Sequence, residues 1–451
     1  MATHELLREL GLFDARAPRY TSYPPANHFA GGVTPDRVAG WLEDIPAGTR
    51  VSLYVHIPYC RRLCWFCACR TQGTLTDRPL VPYLVQIKAE LAMVARHLRP
   101  DVEVAAIHLG GGTPTILPAP MLTELCEALK AVRPLADDLA FSVEIDPTEV
   151  DRARLDALGA AGLTRASIGV QDFDPTVQDA IGRSQPYELT RDVVEMIRAT
   201  GVQSLNMDML FGLPHQTRAR MAESVQKVLS LSPDRLALYG YAHVPWMAKR
   251  QVLIPAEALP NAEERLDLFE LASRLLLWDG FHPIGIDHFA RPRDPLALAA
   301  RENRLRRNFQ GYTEDGCEVL IGLGASAISR YPQGFAQNSS TSSAYAQAIE
   351  QGRLATERGH AFSADDLLRA DMIERLMCRF ELDLRELSDR HGVSMTRLLR
   401  ITQSLRHRFQ GWTETGGETI RLHRSPRLIA RLAALEVDAY AMPEGRHSRA
   451  L

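Results

Sequence analysis

Four cysteines crowd into one short stretch, and their spacing is that of a metal or redox site. The segment Tyr54-Val55-His56-Ile57-Pro58-Tyr59-Cys60-Arg61-Arg62-Leu63-Cys64-Trp65-Phe66-Cys67-Ala68-Cys69 reads C-x3-C-x2-C-x-C. Thiolates are the ligands of iron–sulfur cubanes, and a short loop is what brings them together. Three cysteines on a four-iron cubane leave one iron open to bind and reduce a cofactor. Structural zinc is the duller reading, but it usually takes its four ligands as two separated pairs, and no second pair exists here. The remaining thiols, Cys126, Cys317 and Cys378, read as isolated, buried core residues.

Other residues could serve such a centre. Gly110-Gly111-Gly112-Thr113-Pro114-Thr115 lacks the Gly-Lys-Ser/Thr of a P-loop. It is either a plain turn or a place where backbone approaches a ligand closely. Glu144, Gln171 and Asp208 each follow an apolar run. They could converge on one rim, or be polar only because turns are. Arg183, taken alone, reads as a solvated charge. Arg301, Arg304, Arg306 and Arg307 precede Asn308-Phe309-Gln310-Gly311. They suit either a grip on an acidic small molecule or a solvated helix face.

The elements that must position these residues alternate. Strands are expected at Val51–His56, Ala105–Leu109, Ala140–Ile145, Arg165–Gln171, Ser204–Leu210, Arg235–Tyr241 and Pro283–Asp287. Helical stretches such as Pro82–Leu98 and Met121–Val132 lie between most of them. Such alternation implies parallel strands with crossovers, and polar strand ends favour a barrel, whose chemistry sits at the carboxyl ends of its strands. Before it, residues 1–48 form an arm whose Pro18–Pro25 stretch cannot be regular helix. It could cover the site as a lid, with Arg19 and Tyr20. The barrel is expected over 49–340. Beyond it, 341–451 reads as a helical, winged-helix-like domain: helices Ser363–Phe380, Leu384–His391, Met395–Leu405 and Pro426–Tyr440, with a hairpin at Thr413–Thr419.

On these motifs the chain resembles the oxygen-independent coproporphyrinogen III oxidases of the radical SAM superfamily. YVHIPYCRRLCWFCAC, PRYTSYP, GGGTPT, VEIDP, GVQDF, MDMLFGLP, YAHVP, DHFARP, RNFQGYT, LGASAIS and the ending RHSRAL stand in that family's order. Trp65, Ala68 and Phe211 depart from its usual residues. The resemblance implies a partial (β/α) barrel of the radical SAM type. It implies a 4Fe–4S cluster on Cys60, Cys64 and Cys67, with Cys69 not a ligand. It implies one S-adenosylmethionine on Tyr54, Phe66, Gly111 and Glu144. A second would lie on Gly112, Thr113, Gln171, Arg183, Asp208, Ala242 and Ile328. Gln310, Ile328 and Tyr54 would lie close to the reaction. The implied chemistry is radical decarboxylation of two propionates of coproporphyrinogen III to vinyl groups, with electrons from a flavodoxin or ferredoxin. Sibling proteins, a heme-binding chaperone and a heme-degrading methyltransferase, share the cluster loop. The chaperones usually lack the fourth cysteine and the PRYTSYP arm.

Bulk composition agrees with a globular enzyme. The 451 residues are 45% apolar and 24% charged, enough for a full core. A net charge of −3 argues against reliance on nucleic-acid phosphates. The opening stretch Met1–Leu12 does not read as a secretory leader and no run would span a bilayer. A cytoplasmic monomer without membrane insertion is expected.

Overall fold

The computed structural model describes residues 2–440; the terminal RHSRAL motif lies outside them. Twelve strands form the main sheet: β1 (Arg50–Ile57), β2 (Glu103–Gly111), β3 (Leu135–Ile145), β4 (Arg165–Gln171), β5 (Ser204–Phe211), β6 (Arg235–Gly240), β7 (His282–Ile284), β8 (His288–Ala290), β9 (Val319–Leu323), β10 (Ile328–Tyr331), β11 (Gly334–Asn338) and β12 (Thr356–Ala361). Their order is β12-β11-β10-β9-β1-β2-β3-β4-β5-β6-β8-β7. From β9 through β6 the neighbours run parallel, with helices at Leu80–His97, Ala119–Ala131, Arg152–Ala160, Tyr187–Ala199 and Arg218–Ser230 as crossovers. This is the (β/α) partial barrel.

The sequence dictates these elements locally. In β1 every residue but Arg50 and Tyr54 is buried, as a strand covered on both faces requires. Leu80, Tyr83, Leu84, Ile87, Leu91 and Val94 recur at helical spacing and are the buried side of their helix. Asp151 and Thr217 cap the following helices by accepting from Arg154 and Arg220 backbone N–H groups.

The amino ends of the strands are closed by a polar plug. Arg235 donates to Asp294 at 2.6 Å and to both Glu314 oxygens at 2.8 and 3.0 Å. Arg165 reaches Glu314 at 3.1 Å. Against its own burial, Arg235 and Arg165 hold the Glu314 carboxyl down to about 2. Chemistry is left to the opposite, carboxyl rim.

Several expectations change. The single strand Pro283–Asp287 is a hairpin, β7–β8, turning at Gly285 (φ 51°), and β8 runs antiparallel to β6. The stretch Met395–Leu405 is two helices, Met395–Ile401 and Gln403–Arg408, and the last helix stops at Leu435. The arm contains two helices, Ala2–Glu9 and Pro35–Glu43. Strand β12 gives the main sheet an edge drawn from beyond residue 340. Leu7, Leu12, Phe13, Tyr20 and Tyr23 of the arm share a second core with Leu368, Leu376, Ile429 and Leu432. Among the described residues no helix is long and apolar enough to cross a membrane.

Candidate active site

The cysteine loop leaves the carboxyl end of β1 and is pinned on both sides. Gln72 N–H donates to Pro58 O at 2.8 Å, Thr74 N–H to Cys60 O at 3.0 Å, and Trp65 N–H to Ile181 O at 3.0 Å. Cys60 and Cys64 are buried, Cys67 is half-buried and Cys69 is exposed. Each of the first three sulfurs accepts one hydrogen bond. Thr113 Oγ1 stands 3.5 Å from Cys60 Sγ, Arg183 Nη1 3.4 Å from Cys64 Sγ, and Cys69 N–H 3.4 Å from Cys67 Sγ. Burial pushes the Cys60 thiol up to about 11, whereas hydrogen bonding from Cys69, first from its side chain, draws Cys67 down.

Those donors suit sulfurs that carry negative charge, as cluster ligands do. Three sulfurs from one short loop, without the second separated pair that a structural zinc usually takes, fit a cubane better than a single ion. Cys126 is buried, but Cys317 and Cys378 are half-buried rather than core thiols.

The glycine run is explained by crowding. A Cβ on Gly112 would stand 2.8 Å from Tyr59 O and 2.9 Å from Cys60 Sγ, and one on Gly111 (φ 117°) would stand 2.8 Å from His56. The loop is thus tied to the cysteine segment: Gly112 N–H donates to Ile57 O at 2.8 Å and Thr113 N–H to Tyr59 O at 3.0 Å. Gly111 N–H donates to Glu144 Oε2 at 3.1 Å. Tyr54 Oη and His56 Nδ1 share a hydrogen bond of 2.9 Å, and the Tyr54 ring stacks on His108. Glu144 keeps 41% of its side chain open.

Glu144, Gln171 and Asp208 come from adjacent strands on this rim. Gln171 has φ 68° where β4 ends. Asp208 accepts from Asn206 Nδ2 at 2.8 Å, and burial, then the Glu144 charge, pushes it up to about 6. Arg183 is not a solvated charge. It is buried, and donates to Asp146 at 3.0 Å, Gly169 O at 2.8 Å and Gln185 at 3.0 Å besides Cys64. A guanidinium has five N–H groups, so one is left for a ligand.

Phe66 and Ala242 are brought together by a residue the sequence did not flag. Buried Gln251 donates to Phe66 O at 2.8 Å and to Ala242 O at 3.1 Å, and accepts from Val244 N–H at 2.6 Å. A lone glutamine after a basic pair carries no recognisable signal. Arg250 beside it donates to Thr71 Oγ1 at 2.8 Å. Gln310 sits at the turn between Arg306–Asn308 and Gly311–Thr313, its N–H on Asn308 Oδ1 at 2.9 Å. That turn lies against β6, since a Cβ on Gly311 would be 3.0 Å from Tyr239 Oη. Ile328 opens β10, beside Gly322, which pairs with Tyr54.

The four arginines before Gln310 are not one face. Arg301 donates to Pro292 O at 3.0 Å and Arg304 pairs with Glu302, both exposed. Arg306 pairs with Glu374 at 2.9 Å. Arg307 alone is turned inward, 3% exposed.

Comparison with known proteins agrees with this geometry. Residues 54–228 match the radical SAM superfamily. The chain is 54% identical, over the full length of both, to the oxygen-independent coproporphyrinogen III oxidase of Paracoccus denitrificans. It is 52% identical to one of that name from Cereibacter sphaeroides, over 98% of each chain. It is similar to the solved coproporphyrinogen III oxidase HemN of Escherichia coli, titled a radical SAM enzyme. That likeness has a TM-score of 0.89 and 35% identity, over 94% of this chain and 98% of that one. With identity on this scale over whole chains and a matching fold, the chain belongs to the oxygen-independent coproporphyrinogen III oxidases of the radical SAM superfamily.

Proposed function

We infer that the protein decarboxylates two propionate side chains of coproporphyrinogen III to vinyl groups without oxygen, giving protoporphyrinogen IX in heme biosynthesis. One observation carries the reading: three hydrogen-bonded thiols stand at the carboxyl rim of a barrel whose whole chain matches this family. When bound, a four-iron cluster and S-adenosylmethionine would supply one-electron hydrogen abstraction from each propionate, with carbon dioxide as the leaving group and an external acceptor for the electron left behind.

The chain's own residues position, hold and exclude. Cys60, Cys64 and Cys67 would hold the cluster, and Cys69 supports Cys67 through its amide rather than as a ligand. Tyr54, Phe66, Gly111 and Glu144 would hold the first S-adenosylmethionine, with Glu144 offering an open carboxylate to its amino group or ribose. Gly112, Thr113, Gln171, Arg183, Asp208, Ala242 and Ile328 would hold a second. Arg183's one remaining N–H suits a carboxylate there. Tyr54, Gln310 and Ile328 would lie close to the reaction. The protein works as a monomer and takes electrons from a reduced flavodoxin or ferredoxin.

Oxygen-free, reconstituted protein given S-adenosylmethionine, a reductant and coproporphyrinogen III should release two carbon dioxides per ring and yield the divinyl product. An intact cluster with no decarboxylation overturns the reading.

A further inference from the structure

A cavity of about 90 Å³ lies between the arm, the hairpin Arg306–Thr313, strand β10 and the helix Ala364–Cys378. Tyr20 to Tyr23 of the arm line one side of it, and Phe309, Phe335 and Phe362 give it aromatic walls. A cavity of ~150 Å³ admits a benzene ring, so this one takes a short side chain rather than a macrocycle. Its two carboxylates are occupied. Asp315 accepts from Cys317 N–H at 2.9 Å and from Ser52 Oγ. Glu374 accepts from Arg306 Nε at 2.9 Å and from Arg307 N–H at 3.3 Å. Arg330 also lines the cavity and is half-buried, yet among the described residues its guanidinium makes no hydrogen bond and no ion pair. The carboxylates that act on it from further off are Glu374, already held by Arg306, and exposed Glu318. A cation drawn out of water without a partner is costly unless a ligand brings the counter-charge.

Strand geometry joins this cavity to the residues expected near the reaction. Side chains alternate along a strand. In β10, Ser329 and Tyr331 are buried while Ile328 and Arg330 keep open surface, so these two share one face. Two residues of strand separate them by roughly 7 Å. On neighbouring β9, Gly322 pairs with Tyr54, whereas Leu320, in the cavity wall, pairs with Ser52 and Arg330. Phe309, also in the wall, is the neighbour of Gln310 in the chain. The cavity is thus a side chamber, one step along β9 and β10 from Tyr54, Ile328 and Gln310. The group it offers is a guanidinium, whose planar fork matches a carboxylate.

We propose that this chamber receives one of the propionate side chains the reaction leaves in place, with Arg330 binding its carboxylate. This rests on the substrate reading above. Coproporphyrinogen III carries four propionates and two are consumed, so carboxylates remain through both turns and one of them can anchor the ring. A three-carbon acid fits the volume, and the aromatic walls cover its methylene groups. The arm then acts as part of the binding site, since Tyr20 to Tyr23 close the chamber.

The test is anaerobic steady-state kinetics of the reconstituted enzyme and its Arg330→Gln, Arg330→Lys and Ala370→Leu variants. Arg330 has no partner to lose, so Arg330→Gln without substrate should melt at or above the wild-type midpoint. Its KM for coproporphyrinogen III should rise roughly 10- to 100-fold, the worth of one charge-assisted pair. The loss falls on KM more than on kcat, and KM for S-adenosylmethionine does not move. Arg330→Lys should recover part of the loss, having the charge without the fork. Ala370 lines the same cavity, so Ala370→Leu fills the chamber with the charge intact and should also raise KM for coproporphyrinogen III. On an analogue whose two non-reacting propionates are ethyl groups, wild type and Arg330→Gln should have equal KM. A wild-type KM for the natural substrate in Arg330→Gln or in Ala370→Leu overturns the chamber. So does an equal penalty on the diethyl analogue, or a shift in KM for S-adenosylmethionine instead. A midpoint below wild type in Arg330→Gln makes the guanidinium structural, and the proposal falls. A wild-type enzyme with intact cluster and no turnover overturns the underlying substrate reading as well.

Discussion

At Gly112 the backbone passes so close to the cysteine loop that one added methyl would press on both Tyr59 O and Cys60 Sγ. Gly112→Ala should therefore displace Cys60 at a cost of about 1–3 kcal/mol, as overpacking does. Iron bound per chain after reconstitution should fall well below wild type while helical content is unchanged. Full iron loading in the variant would refute this. The residue scale is also where sequence is most and least informative. Spacing alone exposes Cys60, Cys64 and Cys67, because a short metal loop is a local pattern. Arg183 could not be read as buried, since its acceptors Asp146, Gly169 and Cys64 come from distant segments. Gln251 stayed invisible for the same reason.

Among the elements, the helix Leu80–His97 does more than cover the sheet. Its Glu90 accepts from Gly324 N–H at 2.7 Å, Asn338 Nδ2 at 2.6 Å and Tyr345 Oη at 2.7 Å. Its Tyr83 donates to His56 O at 2.8 Å and accepts from Ala325 N–H at 2.9 Å. One helix thus fixes the end of β1 and the turn before Ile328. Burial raises Glu90 from 4.5 to about 7 despite these donors. A raised carboxyl favours the folded state below its unfolded value, and that contribution fades as pH climbs from 4.5 through about 7. Glu90→Gln should abolish this fading, and at pH 7.5–8 should cost about 1–3 kcal/mol, because an amide N–H must face a donor. Denaturant unfolding at acid and neutral pH measures both; parallel pH profiles for the two proteins would sink the assignment. The strands β1 to β6 were legible because apolar runs alternate with helical periods. Strands β9 to β11 were not, being too short to show a strand period, at 5, 4 and 5 residues. Neither was the β7–β8 hairpin, whose turn breaks a run that looks continuous.

At the scale of the molecule, arm and carboxyl-terminal helices share one core across most of the sequence. Leu12 is fully buried there. Leu12→Ala should destabilise that unit by roughly 2–5 kcal/mol. Amide exchange should quicken together in the helices Ala2–Glu9 and Pro426–Leu435 while β1 to β6 stay protected. Faster exchange in the arm alone would contradict a common core. The separation of this core from that of the sheet was unreadable in the sequence, since it depends on which apolar faces meet. The pairing of Val51 with Val319 is likewise a long-range contact, over a shorter span. On the ribosome, the strand that launches the cysteine loop gains its β2 flank early, but its β9 flank has yet to be made. At roughly 5–20 residues per second the wait is on the order of half a minute. Throughout that interval the nascent thiols are held from one side only, so iron and sulfide delivered before release would meet an unfinished cradle. Maturation of this protein is accordingly a task for the completed polypeptide.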